Sequence, residues 1–246
     1  MESRIKIGIV GCMGRMGCAL VKTVQDHPKT LLIGGTVNPN SKRTNTPLDG
    51  TDLYPEISAE VLFKKADVIL DFTTPQATRD HIDLAVNTNT RLVIGTTGLS
   101  KQDLNALDVA ANKIAIVQAG NMSLGVTLMQ VMAKKMANVL NDDFDVAIHE
   151  KHHIHKKDSP SGTALMLSEA IENNHHKKED ITFTSAREGD CVGDHSIIFS
   201  NQQECLTLSH HAKSRDIFAK GALSAALWVM GKKNGRYTMI DVLNMD

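Results

Sequence analysis

The 246-residue chain carries 27 basic and 28 acidic side chains, a formal net charge of −1, and 41% hydrophobic residues. That balance offers no strong field for nucleic acid or an anionic membrane surface, while the length allows one large or two modest domains with real cores. No apolar run approaches the ~20 residues of a membrane span, MESRIKIGIV lacks the pattern of a signal peptide, and four cysteines without CxxC or metal-type spacing point to free thiols in a reducing cytoplasm.

In chain order, Ile5–Val10 reads as a continuous β-type run, followed by a glycine turn and a helical pattern to about Gln25. Leu31–Val37 is a second strand, and 38–53 a long loop rich in Asn, Thr and Pro. Ser58–Lys65 reads as a short helix capped by Ser58. Val68–Phe72 is a strand, and Pro75 opens the next helix. Leu92–Thr96, a helix over Ser100–Asn112 with a Ser100/Asp103 capping box, and strand Ile114–Gln118 complete the series. Strand–helix alternation without hairpin signals predicts a parallel sheet covered on both faces. Ligands in such folds collect at the carboxyl ends of the strands.

After Ser123 the pattern changes. Leu124–Leu140 is a long helix whose methionines read as core filler. Strand runs Phe144–His149, Ile181–Arg187, His195–Ser200 and Cys205–Ser209 then bunch together, interrupted by a helix over about Ser161–Asn173. They predict a second, α+β domain with a mixed, partly antiparallel sheet. A final helix, about Asp216–Gly231, is expected to pack back on the first domain. The fold class is therefore α/β, a Rossmann-like domain plus an α+β domain, with boundaries expected at 1–122 with 215–246 and at 123–214.

Between the first strand and helix stands Gly11-Cys12-Met13-Gly14-Arg15-Met16-Gly17. Glycines there allow a tight turn and close approach of pyrophosphate, and the helix start supplies N–H groups and a positive dipole. Arg15 adds charge. The second strand does not end in the acid that would grip the ribose hydroxyls of NAD; Val37-Asn38 stand there instead, and Lys42 and Arg43 follow. The missing acid and the nearby cations lean toward NADPH or toward loose discrimination between NADPH and NADH, with solvated loop charges the alternative reading of Lys42 and Arg43.

The densest chemistry lies over His149–Thr163, with four histidines, Lys156 and Lys157. Histidine exchanges protons near neutrality, at roughly pH 6.5. An extended strand through 156 would put His152 and Lys156 on one face and His153 and His155 on the other. Ser159-Pro160 and Ser161-Gly162-Thr163 read as a hydroxyl cap with proline in the first turn, a helix start suited to a carboxylate. Zinc is the rival reading, but no HExxH helix or nearby cysteine supports it, so no metal is expected. His175-His176 and His210-His211 read as surface pairs.

These residues resemble one family, the 4-hydroxy-tetrahydrodipicolinate reductases of lysine and diaminopimelate biosynthesis. The resemblance rests on Gly11–Gly17, Asp71-Phe72-Thr73, Gly95-Thr96-Thr97-Gly98 and Asn121-x-Ser123-x-Gly125-Val126. The most specific stretch is Glu150-x-His152-His153-x-x-Lys156-x-Asp158-x-Pro160-Ser161-Gly162-Thr163-Ala164. Arg187-Glu188-Gly189, Val192-Gly193-x-His195 and Ser214-Arg215-x-x-Phe218-Ala219-x-Gly221-Ala222 follow in order.

The resemblance implies a dinucleotide domain completed by the C-terminal helix, a central substrate domain that builds a homotetramer, and closure between them. It makes His152 the acid/base residue, Lys156 the proton donor, and His153, Gly162 and Thr163 the binders of a small dicarboxylate substrate. It places Gly95, Thr96, Thr97 and Ala119, Gly120, Asn121, Met122 along the nicotinamide. Arg187–His195 would be structural and interface-forming, and His155 supporting structure. Another two-domain dehydrogenase would share the glycine turn but not His152–Thr163. A silent nucleotide-binding regulator would lose His152 or Lys156, and both are present.

Overall fold

A computed structural model describes residues 3–38, 41–56, 58–172 and 180–245. Its contacts divide the chain into two compact units, Met1–Met122 with Asp216–Asp246, and Ser123–Arg215.

The first unit holds a six-stranded parallel sheet of β1 (Ile5–Val10), β2 (Thr30–Thr36), β3 (Val68–Asp71), β4 (Arg91–Ile94), β5 (Ala115–Gln118) and β10 (Gly235–Tyr237), in the order β10-β5-β4-β3-β1-β2. Helices α1 (Arg15–Gln25), α2 (Ala59–Lys65), α3 (Pro75–Thr88), α4 (Lys101–Ala110), α7 (Asp216–Val229) and α8 (Met239–Leu243) complete it. β1 pairs with β2 on one side and β3 on the other, so strand order reverses there and opens a crevice beyond their carboxyl ends. The strands are buried as continuous apolar runs, as a parallel sheet covered on both faces requires. Gly17, Leu20, Val21 and Val24 form the buried stripe of α1, which packs with α7 through the latter's small residues Ala219, Ala222 and Ala226. The capping box of Ser100 and Asp103 forms, and Thr74 caps the helix that Pro75 opens. Ser58 sits at the start of α2, yet its hydroxyl makes no cap bond. Sequence patterning missed β10 and α8, short elements with little periodicity of their own.

The second unit packs α5 (Leu124–Val139) and α6 (Gly162–Ile171) on a sheet ordered β7-β6-β8-β9. Its strands are β6 (Asp145–His152), β7 (Thr182–Arg187), β8 (Asp194–Ser200) and β9 (Cys205–His211). β6 and β7 run parallel, and the other pairs antiparallel, giving the mixed sheet. Met129, Ala133, Leu167 and Ile171 cover Val146, Ile148, Ile197 and Phe199. No described helix is long and apolar enough to cross a membrane.

Candidate active site

At the end of β1, Gly11 takes a left-handed φ of +70° and turns the chain tightly into α1. A Cβ on Gly17 would fall 2.2 Å from the Gly11 carbonyl, so helix and turn can approach this closely only with glycine there. Gly14 is the N-cap of α1 and brings no capping side chain, so the first N–H groups keep their capacity for an external anion. Arg43 Nη1 donates to the Met13 carbonyl at 3.0 Å, which ties a cation of the 41–53 loop to the turn. This arrangement fits a dinucleotide pyrophosphate. Within it Cys12 is a packing residue. Its N–H goes to the Thr36 carbonyl, and burial pushes its thiol up to about 11.

The remaining residues expected along a nicotinamide divide by environment. Thr96 is buried, and its hydroxyl joins Asp71 Oδ1 at 3.2 Å, the Thr73 N–H and the Thr78 hydroxyl. Only its backbone is left for a ligand. Gly95 is glycine because Phe72 occupies the space a Cβ would take. Met122 is buried in the core beneath α7, Ala119 donates its N–H to the Ile94 carbonyl, and Gly120 faces open space. Thr97 is exposed and Asn121 half-buried.

The chemistry of the second unit starts from period two. On β6 the buried positions are Val146, Ile148, Glu150 and His152, so the apolar stripe that faces the helices ends in a carboxylate and an imidazole. On β8 the same face carries His195, Ile197 and Phe199, and Glu150 is paired in register with His195. Glu150 Oε2 binds His152 Nδ1 in a short contact. Arg187 Nη2 lies 2.9 Å from Glu150 Oε1. Burial works against the Glu150 anion, but the Arg187 guanidinium, with Ser185 and His152, holds its pKa below the usual range. With Nδ1 so engaged, the remaining ring nitrogen of His152, Nε2, is the one that can meet a ligand. A Cβ on Gly193 would lie 3.0 Å from it.

Burial lowers the pKa of His152, aided by Lys156 and Arg187 and opposed by Glu150. Its ring meets that of His195 edge-on at 5.0 Å. Burial drives His195 down to about 4, with the His152 charge second. His195 Nε2 lies 3.2 Å from Ser161 Oγ, which also caps α6 by accepting from the Ala164 N–H. Glu150, His152 and His195 bring donor atoms within 4.8 Å of one another. Glu150 Oε2 and His152 Nδ1 engage each other, and Ser161 lies beside His195 Nε2, so hydrogen bonds link the trio, although Glu150 Oε1 and His195 Nδ1 make no hydrogen bond among the described residues.

Three expectations for this segment need correction. β6 stops at His152: the Ile154 N–H goes to the Gly189 carbonyl and that of Lys156 to the His153 carbonyl at 3.1 Å, so 153–156 turns and the two-face alternation fails. Pro160 lies before the cap, after a cis peptide bond, because Ser161 is the N-cap of α6 and Gly162 its first residue. His210 is not a surface residue: it is half-buried, its Nε2 3.5 Å from Ser123 Oγ, whereas exposed His211 pairs with Asp194 at 3.3 Å. His175 and His176 lie outside the described residues.

Lys156 and the helix start come together through Asp158. Its carboxylate takes Lys156 Nζ at 2.8 Å, and the Gly162 N–H helps stabilise its charge. Burial pushes this carboxyl up, but those bonds leave it below its ordinary range. The chain's own carboxylate thus shows what the Lys156–Gly162 corner accommodates. His153 Nδ1 is buried with no hydrogen-bond partner among the described residues. A Cβ on Gly162 would meet no atom within 4 Å. Thr163, next on α6, is half-buried. His155 is exposed, its ring 6.2 Å from that of His153.

Sequence reasoning gave no role to Glu150 and placed Arg187 and His195 outside the chemistry, yet all three contact His152 or its carboxylate. The signal for Glu150 was its place two residues before His152 on one strand face. Arg187 and His195 stood in the family's motifs, but nothing in their spacing ties them to His152, because strand register alone brings them in.

The comparisons with known proteins agree across both units. Residues 5–122 match a family described as dihydrodipicolinate reductase, N-terminus, and residues 125–243 its C-terminus. A 4-hydroxy-tetrahydrodipicolinate reductase of Ruegeria pomeroyi is 40% identical over 263 residues, covering 97% of this chain and 98% of that protein. A dipicolinate-bound dihydrodipicolinate reductase from Paenisporosarcina sp. has a TM-score of 0.81 at 27% identity, covering 97% of this chain and 98% of that one. An amine dehydrogenase from Mycobacterium smegmatis reaches 0.71 at only 10% identity, covering 97% and 96%, a likeness of fold alone.

Proposed function

The chain belongs to the dihydrodipicolinate reductase family, and we propose that its proton chemistry runs through His152 and Lys156. The reaction is the NAD(P)H-dependent reduction of 4-hydroxy-tetrahydrodipicolinate to tetrahydrodipicolinate in lysine and diaminopimelate biosynthesis. NADH or NADPH supplies the hydride when bound. The Gly11–Gly17 turn, with Arg15 and Arg43, would hold its phosphates, and the backbone of 95–97 and 119–122 would line the nicotinamide side.

The protein's own part is to hold a dianionic substrate and manage one proton. Dipicolinate bound to the Paenisporosarcina relative supports a small dicarboxylate as ligand here. One carboxylate would take the place Asp158 now fills between Lys156 Nζ and the Gly162 N–H, with Thr163 and His153 beside it. The substrate hydroxyl leaves as water and needs a proton. The Lys156 ammonium and the imidazole of His152, oriented by Glu150, are placed to supply and exchange it. The observation that carries this reading is the buried Glu150–His152 pair at the end of an otherwise apolar strand face. A buried carboxylate costs stability unless it is paired, and here its pairing orients a histidine. The family resemblance also supports a cytoplasmic homotetramer, which size-exclusion chromatography with light scattering would test.

The deciding experiment is kinetic. His152→Ala and Lys156→Ala should each lower kcat by ~10²- to 10⁴-fold, the range of lost general acid–base catalysis, while NADPH binding by calorimetry survives. Intact turnover in either variant removes that residue from the mechanism.

A further inference from the structure

Arg187 ends β7 in register with His152, and its guanidinium reaches two directions at once. Toward β6, Nη2 lies 2.9 Å from Glu150 Oε1, and Glu150 holds His152 Nδ1. Toward the turn, Nε donates to the Lys156 carbonyl at 3.3 Å and Nη2 to the Asp158 carbonyl. Asp158 in turn holds Lys156 Nζ at 2.8 Å.

We propose that Arg187 is a positioning residue that fixes His152 and Lys156 in one arrangement, through the Glu150 carboxylate on one side and the 156–158 backbone on the other. The inference rests on the assignment of proton handling to those two residues.

The chemistry favours arginine for a reason. A planar fork with five donors can serve a carboxylate and two carbonyls together, whereas an ammonium serves them as a point charge. The carboxylate side governs protonation. The charged and titratable groups facing His152 are Glu150 on β6, Arg187 on β7, His195 on β8 and Lys156 on the turn. Without Arg187, Glu150 is a buried carboxylate whose remaining neutraliser is His152, and one cation that disfavours charge on the imidazole is gone. Both changes favour imidazolium, so the pH limb belonging to His152 moves upward. The carbonyl side governs placement of Lys156 and should report in KM for the anionic substrate. A residue that merely held the subunit together would move neither the limb nor the split between kcat and KM. It would lower activity in step with folded or assembled protein.

The test uses the full chain with Arg187→Met, Arg187→Lys and, as reference, His152→Gln. Melting temperature, solution mass and NADPH affinity are measured beside pH–rate profiles. For Arg187→Met we expect kcat lower by ~10²-fold, the scale of a small misplacement of reacting groups, with the limb higher by roughly one unit. Arg187→Lys should restore the limb but leave KM raised. A folded Arg187→Met with the wild-type limb overturns the proposal, provided His152→Gln abolishes that limb. If His152→Gln keeps it, the assignment of His152 has failed and the role of Arg187 falls with it. Should Arg187→Met not fold, Arg187→Lys decides alone, because an unchanged KM overturns the tether.

Discussion

Gly162→Ala separates packing from ligand binding because the two predict effects of opposite sign. Gly162 is exposed, opens α6, and lies outside the glycines with left-handed φ. A Cβ there meets no protein atom within 4 Å. Neither backbone strain nor crowding asks for glycine. On stability alone the substitution reduces the freedom of the unfolded chain and should stabilise by roughly 0.4–1 kcal/mol. At about 2–4 °C per kcal/mol for a chain of this size, the melting temperature should rise by ~1–4 °C. The proposed substrate carboxylate comes to this same helix start. A methyl group in that open space would displace it from the Gly162 N–H, and a hydrogen bond to a charged group is worth about 1.5–3 kcal/mol. That converts to a KM for the substrate higher by ~10- to 100-fold, at a factor of ten per 1.4 kcal/mol. Scanning calorimetry and initial rates at saturating NADPH read the two effects separately. A raised melting temperature with unchanged KM would refute the assignment of the α6 start to the substrate.

His195 gives a stability prediction with a definite sign. Its folded pKa of about 4 lies below the ~6.5 of an unfolded histidine, so the unfolded state binds more protons between those values. Stability is then full above about pH 6.5 and is lost as pH falls toward 4, by up to about 3 kcal/mol from this residue. His195→Gln, which can still reach Ser161, should flatten the urea-midpoint profile across that window; His152 and His210, also lowered by burial, keep part of the slope, and an unaltered profile would refute the assignment. Arg43→Ala tests the loop cation: if the contact with Met13 places it near the adenosine phosphate, NADPH should bind at least ~10-fold more weakly by calorimetry and NADH nearly as before. Equal losses for both coenzymes would assign Arg43 to the turn itself.

Most of the parallel unit was legible because β1, β3, β4 and β5 are largely apolar runs and α3 and α4 announce their starts, whereas β10 and α8 are short elements with little periodicity of their own. Pro75 presets the first-turn backbone, and Thr74 and the Ser100/Asp103 box carry local hydrogen bonds that depend on nothing distant. The glycine turn was legible for the same reason, although the side chains of Cys12 and Met122 are buried and leave only their backbones for a ligand, since burial depends on α7 and β2, remote in sequence. The run at 152–156 misled the periodicity argument. Alternation presumes that the strand continues, but β7 pairs with β6 only as far as His152, and the next N–H groups find partners in a turn. Arg187 and His195 were read as structural and interface-forming because parallel and antiparallel register, not spacing, sets them beside Glu150.

The placement of Glu150 and His152 carries the physical logic of the site. They occupy the last two core-facing positions of a strand whose earlier ones are Val146 and Ile148. Apolar packing therefore fixes the backbone beneath the reactive groups, and the cost of burying a charge is met locally by Arg187 and His152. A site on the exposed face would need no such pairing, but water would screen Glu150 and leave the imidazole free to rotate. Burial makes the contact strong enough to orient His152, and it also makes each partner hard to replace. Glu150→Gln should be informative for that reason. The amide fits the same space, and whichever of its ends faces Nδ1, it lacks the charge that raises the basicity of the ring. kcat should therefore fall without a matching loss of stability, because the substitution also relieves a buried charge. A variant with wild-type kcat would show that His152 needs no anionic partner.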